Sequence, residues 1–295
     1  MKLYAPKYYK NFRCIADKCD HSCCIGWEID IDKDTLEKYK SLNDGYGTVI
    51  NDSISMEDTP HFRLGDGERC PHLDERGLCR IILGVGEEYL CDICREHPRF
   101  YNYTSVAEVG IGMSCTEGAR LILCSPDYDV MEEIGEVDAL ADGMDFDGRA
   151  ERGKIYAIFR DSELGYNEAL QKIYRAYSID AGEDGDWTEI LDSLEYLDAE
   201  HKKLFMNYSS ARRPDGKDEY LERFLAYLIY RHCTEALDCD DFCARLSFCL
   251  FCERLLACLI CCEGAEDIRE IACLSRIVSE EIEYSDENTL RLIFA

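Results

Sequence analysis

Apolar residues recur at helical spacing through the second half of the chain. From Tyr220 to Cys239, Leu221, Phe224, Leu225, Leu228 and Ile229 fall at i, i+3, i+4, i+7 and i+8, which predicts an amphipathic helix. From Phe242 to Cys262, the positions Leu246, Cys249, Leu250, Cys252, Leu256 and Leu259 continue a helical pattern. Ile155, Ile158, Phe159, Ala169, Leu170, Ile173 and Tyr177 predict further helices. Breaks are expected near Gly165, at Ala181-Gly182 and at Arg212-Arg213-Pro214-Asp215-Gly216.

The first half is patterned more sparsely. Trp27-Glu28-Ile29-Asp30-Ile31-Asp32 alternates apolar and polar, which predicts a short strand. Asp34 is placed to cap a helix through Thr35-Leu36-Glu37-Lys38-Tyr39. Ala119 to Cys124 reads as the end of another helix. Residues 127–148 are acidic and poor in large apolar groups, as in a boundary loop or a solvated face. The expected fold is mixed and mainly α: a cysteine-rich metal-binding domain over 1–125 with sparse regular structure, an acidic linker over 126–149, and a helical domain over 150–295.

Composition sharpens this picture. Apolar residues make up 46% of the 295, enough for a folded core. The net charge of −28 opposes binding to nucleic acid or anionic lipid and favours basic protein partners. No stretch approaches the roughly 18 apolar residues of a membrane helix, and Met1-Lys2-Leu3-Tyr4-Ala5-Pro6-Lys7 lacks the apolar run of a signal peptide. A cytoplasmic location is therefore expected, where 19 cysteines stay reduced and serve as metal ligands, catalytic thiols or small hydrophobes.

The cysteines form two groups. Ten lie between Cys14 and Cys124, in the order Cys14-x4-Cys19-x3-Cys23-Cys24, Cys70-x8-Cys79, Cys91-x2-Cys94, Cys115 and Cys124. Short spacings among turn formers let thiolates converge on one centre, and soft thiolates select zinc, Cu(I) or iron–sulfur clusters. Adjacent Cys23 and Cys24 diverge in an extended chain, so both serve one ion only if the backbone turns sharply. Of His21, His61, His72 and His97, His21 inside the first cluster or His97 after the second could complete a Cys3His site, but they read rather as surface or supporting groups, because the thiols already outnumber the needs of one site. Nine more cysteines, from Cys233 to Cys273, occupy places where Leu, Val or Ala would serve. They read as core packing, although the i,i+4 pairs Cys239/Cys243 and Cys258/Cys262 allow a metal site. G-x-G-x-x-G after a strand, Walker, H-E-x-x-H and G-x-S-x-G motifs are absent, as is the C-x3-C-x2-C of radical S-adenosylmethionine enzymes.

Several segments resemble the flagellin lysine-N-methylase family, within a wider group of cysteine-rich zinc- or iron-chelating proteins. They are Tyr4-Ala5-Pro6-Lys7-Tyr8-Tyr9-Lys10-Asn11-Phe12-Arg13-Cys14, Ser22-Cys23-Cys24-Ile25-Gly26-Trp27, Arg69-Cys70-Pro71-His72-Leu73 with Gly77-Leu78-Cys79, Tyr89-Leu90-Cys91-Asp92-Ile93-Cys94 with His97-Pro98-Arg99, and Ser114-Cys115 with Ala119-Arg120-Leu121-Ile122-Leu123. The helical half is similar more loosely, chiefly at Tyr227-Leu228-Ile229-Tyr230-Arg231. The chain departs from the family's pattern at His21 and at Thr116-Glu117-Gly118.

The resemblance implies methyl transfer from S-adenosylmethionine to flagellin lysines in a protein bearing a [4Fe–4S] cluster. It marks Cys14, Cys19, Cys23, Cys70, Cys79, Cys91, Cys94 and Cys115 as ligands, with Cys24 behind them. It places Arg95, Arg99 and Arg120 near the cluster or the donor's carboxylate, where surface salt bridges are the plainer role for each. The alternative is a non-enzymatic zinc- or iron-binding module for structure or interaction.

Overall fold

A computed structural model describes residues 1–138, 145–180, 187–208 and 213–294. It is mainly α with some sheet, with thirteen α-helices among the described residues. The chain divides into two compact units, Arg13–Pro98 and a larger one made of Met1–Phe12 with Arg99–Ala295.

The division at 12/13 and 98/99 differs from the boundary expected near 125. The cause is strand pairing. In the larger unit a four-stranded sheet runs in the order Arg99–Tyr103, Ala107–Ile111, Lys2–Pro6, Met131–Glu136. Lys2–Pro6 lies parallel to Ala107–Ile111 and antiparallel to Met131–Glu136, so the amino terminus is held by much later chain. The acidic stretch expected to be a linker thus supplies an edge strand with exposed glutamates. Its residues 139–144 lie outside the described residues, as do Ala181-Gly182 and Arg212.

The helices of this unit follow the apolar pattern, with corrected ends. The helix expected over 220–239 is Asp218–His232. A new helix, Cys239–Glu263, begins where the Asp238 side chain accepts the Asp241 N–H at 2.8 Å. It ends at Gly264, whose φ of +64° suits glycine. Helices Gly148–Phe159 and Tyr166–Ala176 bracket the break at Gly165. Thr116–Leu123 closes at Cys124 as expected. The core of this unit is built largely on Asp218–His232 and Cys239–Glu263, with Leu221, Phe224, Leu228, Leu246, Leu256 and Leu259 fully buried.

The smaller unit is loop-rich. It holds two helices of ordinary length, Lys33–Ser41 and Gly45–Asp52, two short ones at Arg80–Gly84 and Asp92–Glu96, and a two-residue ladder between Ile54–Ser55 and His61–Phe62. The strand expected at 27–32 is absent. Ile29 and Ile31 are buried and Glu28 and Asp30 exposed, so the alternation is real, but the segment makes one isolated bridge, Asp30 to His61. Asp32, not Asp34, caps the next helix, accepting from Thr35 N at 2.9 Å.

Candidate metal centre

Five thiols, on four segments, lie in or against the apolar core of the Arg13–Pro98 unit. Cys70 and Cys91 belong to its apolar core, and Cys24, Cys79 and Cys94 pack against that core. Each is positioned by local backbone bonding. Cys70 N donates to Cys24 O at 2.8 Å and Gly26 N to Glu68 O at 3.1 Å, which lays segment 24–26 against 68–70. The chain then reverses through a hairpin. The Asp74 carboxylate accepts from Arg76 N and Leu78 N, and Gly77 takes φ +77° at the turn. Leu73 bridges Cys79, and Arg80 N donates to His72 O at 2.7 Å, so Cys79 returns beside Cys70.

The last pair stands on its own turn. Cys91 precedes the short helix Asp92–Glu96, and Cys94 N donates to Cys91 O at 3.1 Å. Two fixed groups hold that turn. The Tyr39 hydroxyl donates to Tyr89 O at 2.6 Å, and the second carboxylate oxygen of Asp32 accepts from Asp92 N at 2.9 Å.

The thiols feel one another electrically. A hydrogen bond from Cys23 leads the effects that bring Cys24 down to about 7. Burial pushes Cys70 up to about 12, with the charges of Cys24, Cys79 and Cys91 adding to it. Burial also raises Cys79, against N–H groups of Ile82 and Ile81 aimed at its sulfur. In the C-x2-C pair, a hydrogen bond from Cys94 lowers Cys91 and the same bond raises Cys94. Among the described residues no three His, Cys, Asp or Glu side chains are grouped so that they could hold a metal ion. The donor set is nevertheless the soft, half-buried kind that suits zinc or an iron–sulfur cluster.

The expected residues separate on this frame. Cys24, ranked behind its neighbour in the sequence, is the half-buried one of the adjacent pair, while Cys23 is exposed and bonds to Cys24. Cys14 is exposed and Cys19 half-buried, and neither is among the charges that act most strongly on Cys70, Cys79 or Cys94. Cys115 belongs to the larger unit, where it precedes helix Thr116–Leu123. His72 is a structural group. Its two ring nitrogens meet Tyr46 Oη at 2.8 Å and Ser53 Oγ at 2.9 Å, its ring packs edge-on to Phe62, and burial brings it down to about 4.

The three arginines have local partners. Arg95 pairs with Asp92 and with Glu96 at 3.5 Å. Arg99 Nε donates to the Tyr9 hydroxyl at 2.9 Å, with its guanidinium 5.7 Å from the Phe12 ring centre. Arg120 binds both carboxylate oxygens of Glu117, at 2.7 and 2.6 Å.

Sequence reasoning missed the buried charges of the larger unit. Arg152 grips both oxygens of fully buried Glu108 at 2.9 and 2.8 Å. Glu283 accepts from the Tyr227 hydroxyl at 3.0 Å and from His232 Nε2 at 2.8 Å, with Arg231 beside it. Glu253 pairs with Arg213 and accepts from the Tyr166 hydroxyl at 3.0 Å. One signal existed: Glu253 interrupts the apolar run Cys249-Leu250-Phe251-Cys252 in a helix otherwise patterned for burial.

Comparison with known proteins finds three relatives. The chain is 30% identical over 130 residues to the flagellar biosynthetic protein FliU of Salmonella muenchen, covering 41% of this chain and 77% of that protein. It is 29% identical over 136 residues to the lysine-N-methylases of Salmonella choleraesuis and Salmonella typhimurium, covering 43% of this chain. The match spans about a third, 34%, of the length of those two methylases. No family profile and no solved structure matches the chain. Among the described residues no helix is long and apolar enough to cross a membrane. The extent of the match to FliU, with the same relationship to the two methylases, shows that the chain belongs to the FliU and lysine-N-methylase family.

Proposed function

We propose that the chain is a protein-lysine N-methylase that acts on flagellin in the cytoplasm, takes its methyl group from S-adenosylmethionine, and carries an iron–sulfur cluster of the [4Fe–4S] type. The observation that carries the activity is the relationship to two proteins named lysine-N-methylase. Support for flagellin as partner is the name of the flagellar relative, together with a net charge of −28 that suits a lysine-bearing surface.

The cluster reading rests on donor chemistry: five soft thiols share the core of one small, loop-rich unit. Cys24, Cys70, Cys79, Cys91 and Cys94 are the ligands first in line, with Cys14, Cys19, Cys23 and Cys115 as further candidates. A cluster bound there would supply iron that is redox-active and, where one position is open, Lewis-acidic. Arg95, Arg99 and Arg120 reach the donor's carboxylate only by exchanging their present partners.

The reaction balances simply. A neutral lysine amine attacks the methyl carbon, the carbon–sulfur bond breaks as the carbon–nitrogen bond forms, and positive charge passes from sulfur to nitrogen. The methylated ammonium keeps that charge or later releases a proton. The protein must therefore accept the lysine without its proton.

Incubating anaerobically purified protein with S-adenosylmethionine labelled on the methyl group, and with flagellin, tests the reading. Label on flagellin lysines is expected. A protein with intact metal that transfers none would overturn it. The result would then favour a zinc-loaded structural module, a reading that the one-third coverage of the methylases also suits.

A further inference from the structure

In the Arg13–Pro98 unit His72 lies between Cys70 and Cys79, and its backbone bonds to both segments. Its N–H points at the Cys70 sulfur. Its C=O accepts from the N–H of Arg80, the residue after Cys79, at 2.7 Å. A shift of this one residue would therefore carry both thiol segments with it. The side chain opposes such a shift. Its ring is 1% exposed and packs edge-on to Phe62, with ring centres 4.6 Å apart. Nδ1 meets Tyr46 Oη at 2.8 Å and Nε2 meets Ser53 Oγ at 2.9 Å. Both partners belong to one element, because Tyr46 lies in helix Gly45–Asp52 and Ser53 closes it.

The direction of one of these bonds follows by elimination. A carbonyl cannot donate, so the Ser53 hydroxyl gives its one proton to Ile50 O at 2.6 Å. It can then only accept from His72, and Nε2 is the ring nitrogen that carries a proton. Tyr46 is fixed from the other side. A Cβ at Gly84 would lie 2.9 Å from Tyr46 Cβ and from its ring, so the helix Arg80–Gly84 that follows Cys79 presses directly on it. We infer that His72 is a positioning residue for the proposed thiol centre: its ring, donating through Nε2 to Ser53, pins the hairpin that carries Cys70 and Cys79 to the helix Gly45–Asp52. Groups that bond behind a ligand in this way hold its sulfur where a metal needs it. The metal part rests on the cluster reading above; the pinning of the two thiols stands without it.

The test is alkylation by iodoacetamide, read cysteine by cysteine in the mass spectrometer, on the full chain purified without oxygen. Ser53→Ala removes the acceptor and leaves the ring and both thiol segments as they are. It should speed labelling of Cys70 and Cys79 about tenfold, the worth of one hydrogen bond. His72→Leu should do at least as much, and His72→Gln, whose amide still donates toward Ser53, should return most of the protection. Cys91 and Cys94, on their own turn, should stay near their wild-type rates. Unchanged labelling in Ser53→Ala, no rescue by His72→Gln, or a rise at Cys91 and Cys94 as large as at Cys70 and Cys79 would each overturn the positioning role, the last because it means a unit loosened throughout. Where the wild type holds metal, release to an excess of chelator should quicken about tenfold or more in His72→Leu. Unchanged release would overturn the link to the centre. A wild type without metal sinks the cluster reading alone, because the labelling decides the pinning by itself.

Discussion

The cysteines of Arg13–Pro98 and those of the helix Cys239–Glu263 share a side chain and little else. In the smaller unit Cys79 and Cys91 stand just before short helices, Cys24 and Cys70 sit on paired loop segments, and the thiols act on one another across segments far apart in sequence. In the long helix Cys249 and Cys252 are fully buried, and burial raises both thiols far above the ordinary range, which keeps them protonated. Close sulfurs occur here as well: Cys233 and Cys249 lie 3.8 Å apart, as do Cys258 and Cys262. Proximity therefore does not mark a metal site. What separates the two regions is local backbone: turns present the thiols of the small unit from several segments, while a helix lays them along a packed face.

Removing the proposed ligands should give the largest effect. Cys24→Ala combined with Cys91→Ala should empty the centre and melt the Arg13–Pro98 unit, since a structural metal site contributes on the order of 10 kcal/mol to folding. Metal content and limited proteolysis will read this. Retained metal in a folded double variant would break the contrast between the two regions.

Next is the buried ion pair of the larger unit. Glu108→Ala leaves Arg152 buried and uncompensated, which should cost about 3–5 kcal/mol in denaturant unfolding. Adding Arg152→Met should restore much of it.

The same unit carries two opposite pH responses. Burial opposes ionisation of Glu108, but Arg152 and Arg149 overcome it and hold its carboxyl below the ordinary range. Its stabilisation is present above the unfolded value, about 4.3, and is lost as pH falls through the lower folded value. Burial raises Glu253 despite Arg213 and Tyr166. Its contribution is present below the unfolded value and lost as pH rises through the raised one. Melting temperature against pH should therefore lose its acid limb in part with Glu108→Gln, and gain at neutral pH with Glu253→Gln relative to the wild type's trend.

The helical cysteines should be the least sensitive. Cys249→Ala should cost about 1 kcal/mol, as a small core truncation does. Exposed Cys273→Ser should stay within about 0.5 kcal/mol, and neither should change metal content.

What the sequence disclosed follows the range of the forces involved. The helix Cys239–Glu263 was legible because its apolar period is local, and only its join to Asp218–His232 was misplaced. The alternation at 27–32 correctly told which side chains are buried but not that too few partners exist for a strand. The sheet was hidden because Lys2–Pro6 pairs with residues more than a hundred positions away, and Met131–Glu136 looks like solvated chain until it has a neighbour. Short spacings placed Cys24, Cys70, Cys79, Cys91 and Cys94 in one small unit but did not show how they lie in its core. That Cys24 is the half-buried member of the adjacent pair follows from its backbone pairing with Cys70, which no local pattern announces.

The most direct test of the thiol centre is the iron, acid-labile sulfide and zinc content of protein purified without oxygen. About four irons and four sulfides per chain, lost together in the Cys24→Ala, Cys91→Ala variant, are the predicted result. Protein that holds neither iron nor sulfide, or that keeps both in the variant, would contradict the account.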